Sequence, residues 1–161
     1  MNSKLINLIT PLVSIISIFI SHYLGMKKTN SRIKQEALQK RYDTVYIPYI
    51  QLLARAAPLL PYPINNPDVA MTINTIILEN IEYLGKESSS LAIDFYLTML
   101  EFFEYHDGNK EFIDAKDKIN TTFYKMTQAI LLEASQLSKE LKLADISQVF
   151  YNEIQHYQSR I

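Results

Sequence analysis

The sequence contains no cysteine and no tryptophan, and it has only three glycines in 161 residues. Without cysteine the chain has no disulfide, no thiolate metal ligand and no thiol nucleophile. Its glycines stand at positions 25, 85 and 108, so the glycine-rich phosphate-binding loops and the nucleophile elbow of hydrolases are absent from the sequence. These absences exclude whole classes of enzyme, and they are typical of an all-helical chain.

The charged residues are unevenly distributed along the chain, although the net charge is only -1. Residues 1–60 hold eight Lys and Arg against two Asp and Glu, whereas residues 61–161 hold eight against fifteen. A nucleic-acid-binding domain needs a concentrated face of Lys and Arg, which an acidic body does not supply. We therefore expect no nucleic acid among the partners of this chain.

One stretch of 20 residues, positions 5–24, contains no Asp, Glu, Lys or Arg. A helix of that length extends about 30 Å, which is the thickness of the hydrocarbon core of a bilayer. The stretch is longer than the apolar part of a secretory signal, and no cleavage site of small residues follows it. The sequence therefore predicts a short tail over residues 1–4 and a single transmembrane anchor over residues 5–24.

A cluster of cations follows the predicted anchor. Such clusters stay on the cytoplasmic side of a membrane and attract anionic lipid headgroups. We therefore expect a protein of the cell membrane that contacts lipid, with its N-terminus outside and the rest of the chain in the cytoplasm, and with residues 25–31 as a basic juxtamembrane linker. The cations are Lys27, Lys28, Arg32, Lys34, Lys40 and Arg41.

Small and polar residues share one face of the predicted anchor, at steps of three and four positions. In lipid, small residues allow close approach of two helices, and polar side chains can hydrogen-bond between them. This pattern predicts a seam through which the anchor forms a homo-oligomer or binds a partner helix. In the alternative interpretation the hydroxyl groups only bond to carbonyl groups of their own helix. The seam consists of Asn7, Thr10, Ser14, Ser17 and Ser21.

The remaining residues, 32–161, carry apolar side chains at steps of three and four, the spacing that buries one face of a helix. Pro48 must interrupt the first of these helices, because proline has no N–H group to donate. Four prolines between positions 58 and 67 predict a loop there. The predicted fold class is therefore all-α, with a single N-terminal transmembrane helix followed by an antiparallel bundle of four to five helices.

Capping residues mark the helix boundaries in the second half of the chain. Asn66, with a proline directly after it, predicts the start of a helix that ends at Gly85. The next helix is predicted over residues 91–106, after three serines, and its apolar residues cover so much of its circumference that it should be the most buried one. Asp145 is predicted to begin the last helix.

The densest group of potentially catalytic side chains lies near the end of that apolar helix. Glu101, Glu104 and His106 have the chemistry to bind a metal or to act as general acid and base. A di-metal bundle needs two Glu-x-x-His pairs, whereas this chain has one, Glu153 with His156. We therefore expect no metal, no cofactor and no enzyme activity, and we keep a membrane-tethered hydrolase that uses the first three residues as the alternative.

These patterns together predict a membrane-anchored, non-enzymatic interaction protein whose bundle binds another protein of unspecified identity. A further alternative is a membrane-active protein whose anchor oligomerises. The layout resembles that of small single-span proteins of bacteria with AT-rich genomes and of their prophages, some of which block the entry of a second phage. The resemblance covers layout and composition and no specific motif, and it implies a role in phage exclusion or immunity.

Overall fold

Every regular element in the described part of this computed structural model is helical, and no strand occurs there. The prediction of an all-α fold is therefore confirmed. The structure describes residues 3–56, 64 and 66–158, except for the side chains of residues 3–16, 18, 157 and 158.

The chain divides into two compact units, Met1–Leu38 and Gln39–Ile161. Helix α1 comprises Ser3–Arg41. Residues 25–31, predicted as a basic juxtamembrane segment that forms a short linker or a helical turn, are helical, because no proline interrupts them and a single glycine costs a helix only about 1 kcal/mol. The second unit begins at Gln39, and the boundary of the bundle domain at residue 32 stays a prediction.

Within the part of the chain that the structure describes, we find no helix with the length and apolar character needed to cross a membrane. Most of the predicted anchor over residues 5–24 is not covered by that finding, since the side chains of residues 3–16 and 18 lie outside the described residues. The anchor therefore stays a prediction from the sequence.

The described residues of the second unit form a bundle of helices with short 3-10 turns between some of them. The first helix of the bundle, α2, follows a π-helical turn at the end of α1. The helices are α2 Ile47–Ala56, α3 Pro67–Leu78, α4 Lys86–His106, α5 Ala115–Leu141 and α6 Ile146–Gln158, and the 3-10 turns are Ile81–Tyr83 and Lys110–Phe112.

Helices α4 and α5 run in opposite directions, because residue numbers rise along one helix as they fall along the other. Neighbouring helices joined by a short turn pack in this way, and the predicted antiparallel arrangement holds for this pair. The contacts that show it are Gly85 with Glu133, Phe95 with Phe123, and Glu101 with Lys118.

Helix α5 supplies much of the core, with fourteen buried residues against five in α4. The prediction that the apolar helix over residues 91–106 would be the most buried one is therefore wrong. Only the side of α4 with Phe95, Met99 and Phe102 is covered by other helices. The prediction counted the apolar residues on the other side of α4 as buried, whereas no helix of the described bundle packs against them.

Pro48 is accommodated by a π-helical turn, Tyr42–Tyr46, which lies directly before α2. The N–H group of Ile47 donates to the carbonyl oxygen of Tyr42, five residues earlier. This wider turn gives room to the proline ring, which would otherwise crowd the preceding helical turn. The predicted interruption is thus a change of helix type, and it places Tyr42 and Tyr46 in the core.

The predicted start of α3 is confirmed, because the side chain of Asn66 accepts hydrogen bonds from the N–H groups of Asp68 and Val69 at 3.0 and 3.4 Å. Its predicted end is wrong, since α3 stops at Leu78 and Gly85 instead precedes α4. The proline-rich loop before α3 lies mostly outside the described residues. Ile64, which is described, is fully buried.

Candidate functional site

The carboxylate of Glu133 projects from α5 into a group of hydrogen-bond donors at the start of α4. Its Oε2 atom accepts from the Tyr46 hydroxyl at 2.7 Å and from the Gly85 N–H at 2.9 Å. Its Oε1 atom accepts from the Ser88 hydroxyl at 2.8 Å. Together with Arg41, we call these residues the Glu133 cluster.

The Glu133 cluster replaces a local cap at the N-terminus of α4. No side chain adjacent in sequence caps this helix, and its positive end favours a carboxylate. A Cβ atom at position 85 would lie 2.1 Å from Oε1 and 2.6 Å from Cδ of Glu133, so any other residue there would have to displace the hydrogen-bonded carboxylate. The start of α4 is therefore fixed by a residue of another helix.

Arg41 joins the end of α1 to the same carboxylate. Its Nη2 atom lies 3.4 Å from Oε2 of Glu133 and 2.9 Å from the Tyr46 hydroxyl, and its Nε donates to the carbonyl of Tyr83. Burial, strengthened by the negative charge of Glu133, raises the pKa of Tyr46, so its hydroxyl remains a donor. The arrangement holds the carboxylate in place with three side chains and one backbone N–H group.

A signal for the Glu133 cluster was present in the sequence but was missed. Glu133 follows Ile130 by three positions and precedes Leu137 by four, so it stands in the apolar stripe that α5 turns to the core. A carboxylate at such a position needs partners when it is buried. The sequence could not identify them, because Arg41 and Tyr46 are 92 and 87 positions away.

The residues of the hydrolase alternative lie at the C-terminal end of α4. Glu101 forms an ion pair with Lys118 at 3.2 Å, while Glu104 and His106 are exposed. The ring of His106 packs edge-on against Phe102, with centroids 4.6 Å apart. Glu153 and His156 are exposed on α6. Over the described ranges, no group of three or more His, Cys, Asp or Glu is arranged to hold a metal.

The outer side of α4 presents three large apolar side chains to solvent. Ile93, Leu97 and Leu100 are 49%, 52% and 42% exposed, and they follow one another at steps of four and three along one helical face. We call these three residues the α4 face. Asp94 is exposed on one side of the α4 face, and Glu104 is exposed at its end, four positions after Leu100.

The predicted headgroup cluster is divided between the two units. Lys27, Lys28, Arg32 and Lys34 are exposed in the first unit, where Arg32 forms an ion pair with Glu36 at 3.4 Å. The other two cations have partners in the bundle. Lys40 lies 5.5 Å from the ring centre of Tyr83, and Arg41 belongs to the Glu133 cluster.

The predicted seam lies largely beyond what the structure describes. Ser17 and Ser21 are exposed on α1. The side chains of Asn7, Thr10 and Ser14 lie outside the described residues. The seam therefore stays a prediction.

No protein-family model matches this chain, and neither a curated protein nor a solved structure is detectably similar to it.

Proposed function

We propose that this chain is a membrane-anchored, non-enzymatic protein whose helical bundle binds another protein at the inner face of the cell membrane. The observation that carries the proposal is the run of 20 residues without Asp, Glu, Lys or Arg at positions 5–24. Lys27 and Lys28 lie two residues after this run, and they favour an orientation with the N-terminus outside and the bundle in the cytoplasm.

The α4 face supports the protein-binding part of the proposal. Apolar side chains that stay exposed at helical spacing are a common feature of surfaces that bind an apolar segment of a partner. Asp94 and Glu104 beside the face favour a partner segment with Lys or Arg along its edge. The proposed partner is therefore a protein with an apolar stripe and basic flanks.

The anchor and its orientation are tested by labelling the chain in intact cells. Because the sequence has no cysteine, single Ser3→Cys and Ser159→Cys variants each give one reactive thiol. We expect the chain to remain with the membrane pellet after an alkaline wash, and only the Ser3→Cys variant to react with a membrane-impermeant maleimide. Labelling of Ser159→Cys alone would show the opposite orientation, and release of the chain from the pellet would refute the anchor.

The α4 face is tested by placing a photoreactive amino acid at Leu97. The same substitution at Leu132, a leucine of α5 that is 43% exposed, is the matched control. Irradiation of cells is expected to join position 97, and not position 132, to a different protein. Equal adducts at both positions would indicate unspecific apolar contact, and their absence at position 97 would contradict binding through this face.

The resemblance in layout supports a narrower form of the proposal, in which the partner belongs to the entry machinery of an infecting phage. Expression of the chain should then reduce plaque formation in a sensitive host, and deletion of residues 1–24 should remove that protection, because the bundle would no longer be held at the membrane. Unchanged plaque numbers over a broad phage panel would contradict a role in phage exclusion. The broader proposal of a membrane-anchored binding protein would still be tested by the labelling experiments.

A further inference from the structure

We propose that the first unit pairs with a second copy of this chain as a parallel, two-stranded coiled coil. Between positions 26 and 37 of α1, Met26, Ile33 and Ala37 share one helical face with Asn30, at steps of four, three and four. The other eight residues between these positions are all polar. Such steps are those of the a and d positions of a heptad repeat.

The same repeat extends without a break through the preceding residues. Apolar residues occupy its a and d positions from Leu5 to Tyr23 as well. Isoleucine at a with leucine at d, as in its first half, favours two strands. The a positions are Ile9, Ile16, Tyr23, Asn30 and Ala37, and the d positions are Leu5, Leu12, Phe19, Met26 and Ile33.

The described side chains on this face are largely exposed. Phe19, Met26 and Ile33 are 71%, 51% and 56% exposed. Apolar residues exposed along one stripe of a helix gain stability by packing against another helix. The repeat also stops where the first unit ends, since the next d position after Ala37 is the polar Lys40, which lies against Tyr83 in the second unit.

Asn30 and the charges beside the stripe favour a parallel pair over an antiparallel one. A single asparagine at an a position fixes the register of two parallel strands, because the two amides meet each other. In a parallel pair, g positions of one copy face e positions of the other, so Lys34 faces Thr29. An antiparallel pair would instead bring Lys27 and Lys34, both at e positions, close to the same residues of the second copy.

This interface differs from the seam of the predicted anchor. Ser17 and Ser21 occupy b and f positions, on the side of α1 opposite to the heptad stripe. Residues 26–37 lie outside the predicted anchor, so their pairing does not depend on it. The heptad stripe and the seam bring different residues of two copies together, so cross-linking distinguishes the two interfaces.

Disulfide cross-linking of the full chain tests the proposal in whichever cell fraction contains it. Ala37→Cys places a thiol at an a position, and Gln35→Cys places one at an f position on the opposite side of the helix. Facing a positions come close enough for a disulfide, so oxidation should give at least about tenfold more covalent dimer with Ala37→Cys than with Gln35→Cys. Both positions are exposed, so neither change should alter the helix content.

A second pair of variants shows whether the apolar stripe causes the cross-link. In the Ala37→Cys chain, Ile33→Glu should reduce the covalent dimer about tenfold by placing two charges in the interface, whereas Gln35→Glu should leave it unchanged. A dimer that forms equally at positions 35 and 37, or that forms through Ser21→Cys instead, would overturn the proposal. So would an Ala37→Cys chain that stays monomeric under oxidation.

Discussion

The N-termini of α3 and α4 are each held by a side-chain acceptor, which is local in sequence at α3 and distant at α4. At α3 the side chain of Asn66 accepts the first free N–H groups from residues two and three positions later. At α4 the acceptor is Glu133, which is 48 positions away from the Gly85 N–H that it binds. A local cap stabilises one helix, whereas a cap from another helix also couples the start of α4 to the packing of α5 and the π turn.

The N-terminus of α6 is intermediate between these two cases. Asp145 accepts the N–H of Gln148, three positions later, at 3.1 Å. The same carboxylate accepts the hydroxyl of Ser135 on α5 at 2.6 Å and lies 3.5 Å from Lys139. This cap is therefore local in sequence, and it is also held by the neighbouring helix.

The largest effect is expected from removing the distant cap. Glu133→Ala leaves the Tyr46 hydroxyl, the Ser88 hydroxyl and the Gly85 N–H without their acceptor, and it removes the counterion of Arg41. We expect a loss of about 3 kcal/mol in the free energy of unfolding. The measurement is urea unfolding followed by circular dichroism. Gln136→Ala, at an exposed position on the same helix, is the control and should cost less than about 0.5 kcal/mol.

Gly85→Ala should be the next most destabilising change, at about 2 kcal/mol, because the new methyl group would displace the Glu133 carboxylate. In the Glu133→Ala background most of this loss should disappear, because no carboxylate is left to be displaced. With φ at −74°, residue 85 accepts alanine without strain, and the poorer capping by alanine is offset in part by a less flexible unfolded chain, so the remaining loss should stay below about 1 kcal/mol. Equal losses in both backgrounds would refute the steric explanation.

Asn66→Ala should cost about 1 kcal/mol, the usual loss for a local cap. Asn66→Asp should retain most of the stability, because a carboxylate accepts the same N–H groups and suits the positive end of the helix. Since Asn66 shares no hydrogen-bond partner with Glu133, the losses from Asn66→Ala and Glu133→Ala should add in the double variant. A strong departure from additivity in urea unfolding would mean that the local cap is also coupled to the core.

The smallest effect is expected from Asp145→Asn, and it should depend on pH. Burial alone would raise the pKa of Asp145, but hydrogen bonds from Ser135 and from the Gln148 N–H, together with Lys139, outweigh burial and lower the pKa below its ordinary value of 3.8. The charge of Asp145 therefore stabilises the fold above that value, and this contribution is lost as the pH falls through the lowered pKa.

Asparagine keeps the acceptor of this cap but not the charge. Because solvent screens the pair with the exposed Lys139, we expect Asp145→Asn to cost about 0.5 kcal/mol at neutral pH. The difference from the parent chain should vanish at a pH below the lowered pKa. Urea unfolding at several pH values checks this, and a difference that grew on acidification would contradict the sign.

Local sequence chemistry was enough to predict the helical class, the start of α3, the acidic residue before α6 and an irregularity near Pro48. Each depends on contacts within about four or five residues along the chain, which the sequence displays directly. The sequence did not predict the type of irregularity, since a proline is compatible with a kink, a break or a π turn. In the structure it is a π turn, and Tyr46 within that turn packs on α5.

Hydrophobic spacing and capping act within a few residues, so the amino-acid sequence was sufficient to predict that the chain is helical and which side chains form a stripe along each helix. Which stripe is covered depends on the packing of helices that are distant in sequence. Helix α4 has apolar residues on two sides, and the position of α5 selects Phe95 and Phe102 for the core while Leu97 stays exposed. The role of Gly85 was decided in the same way, since the space that it leaves is filled by a carboxylate from another helix.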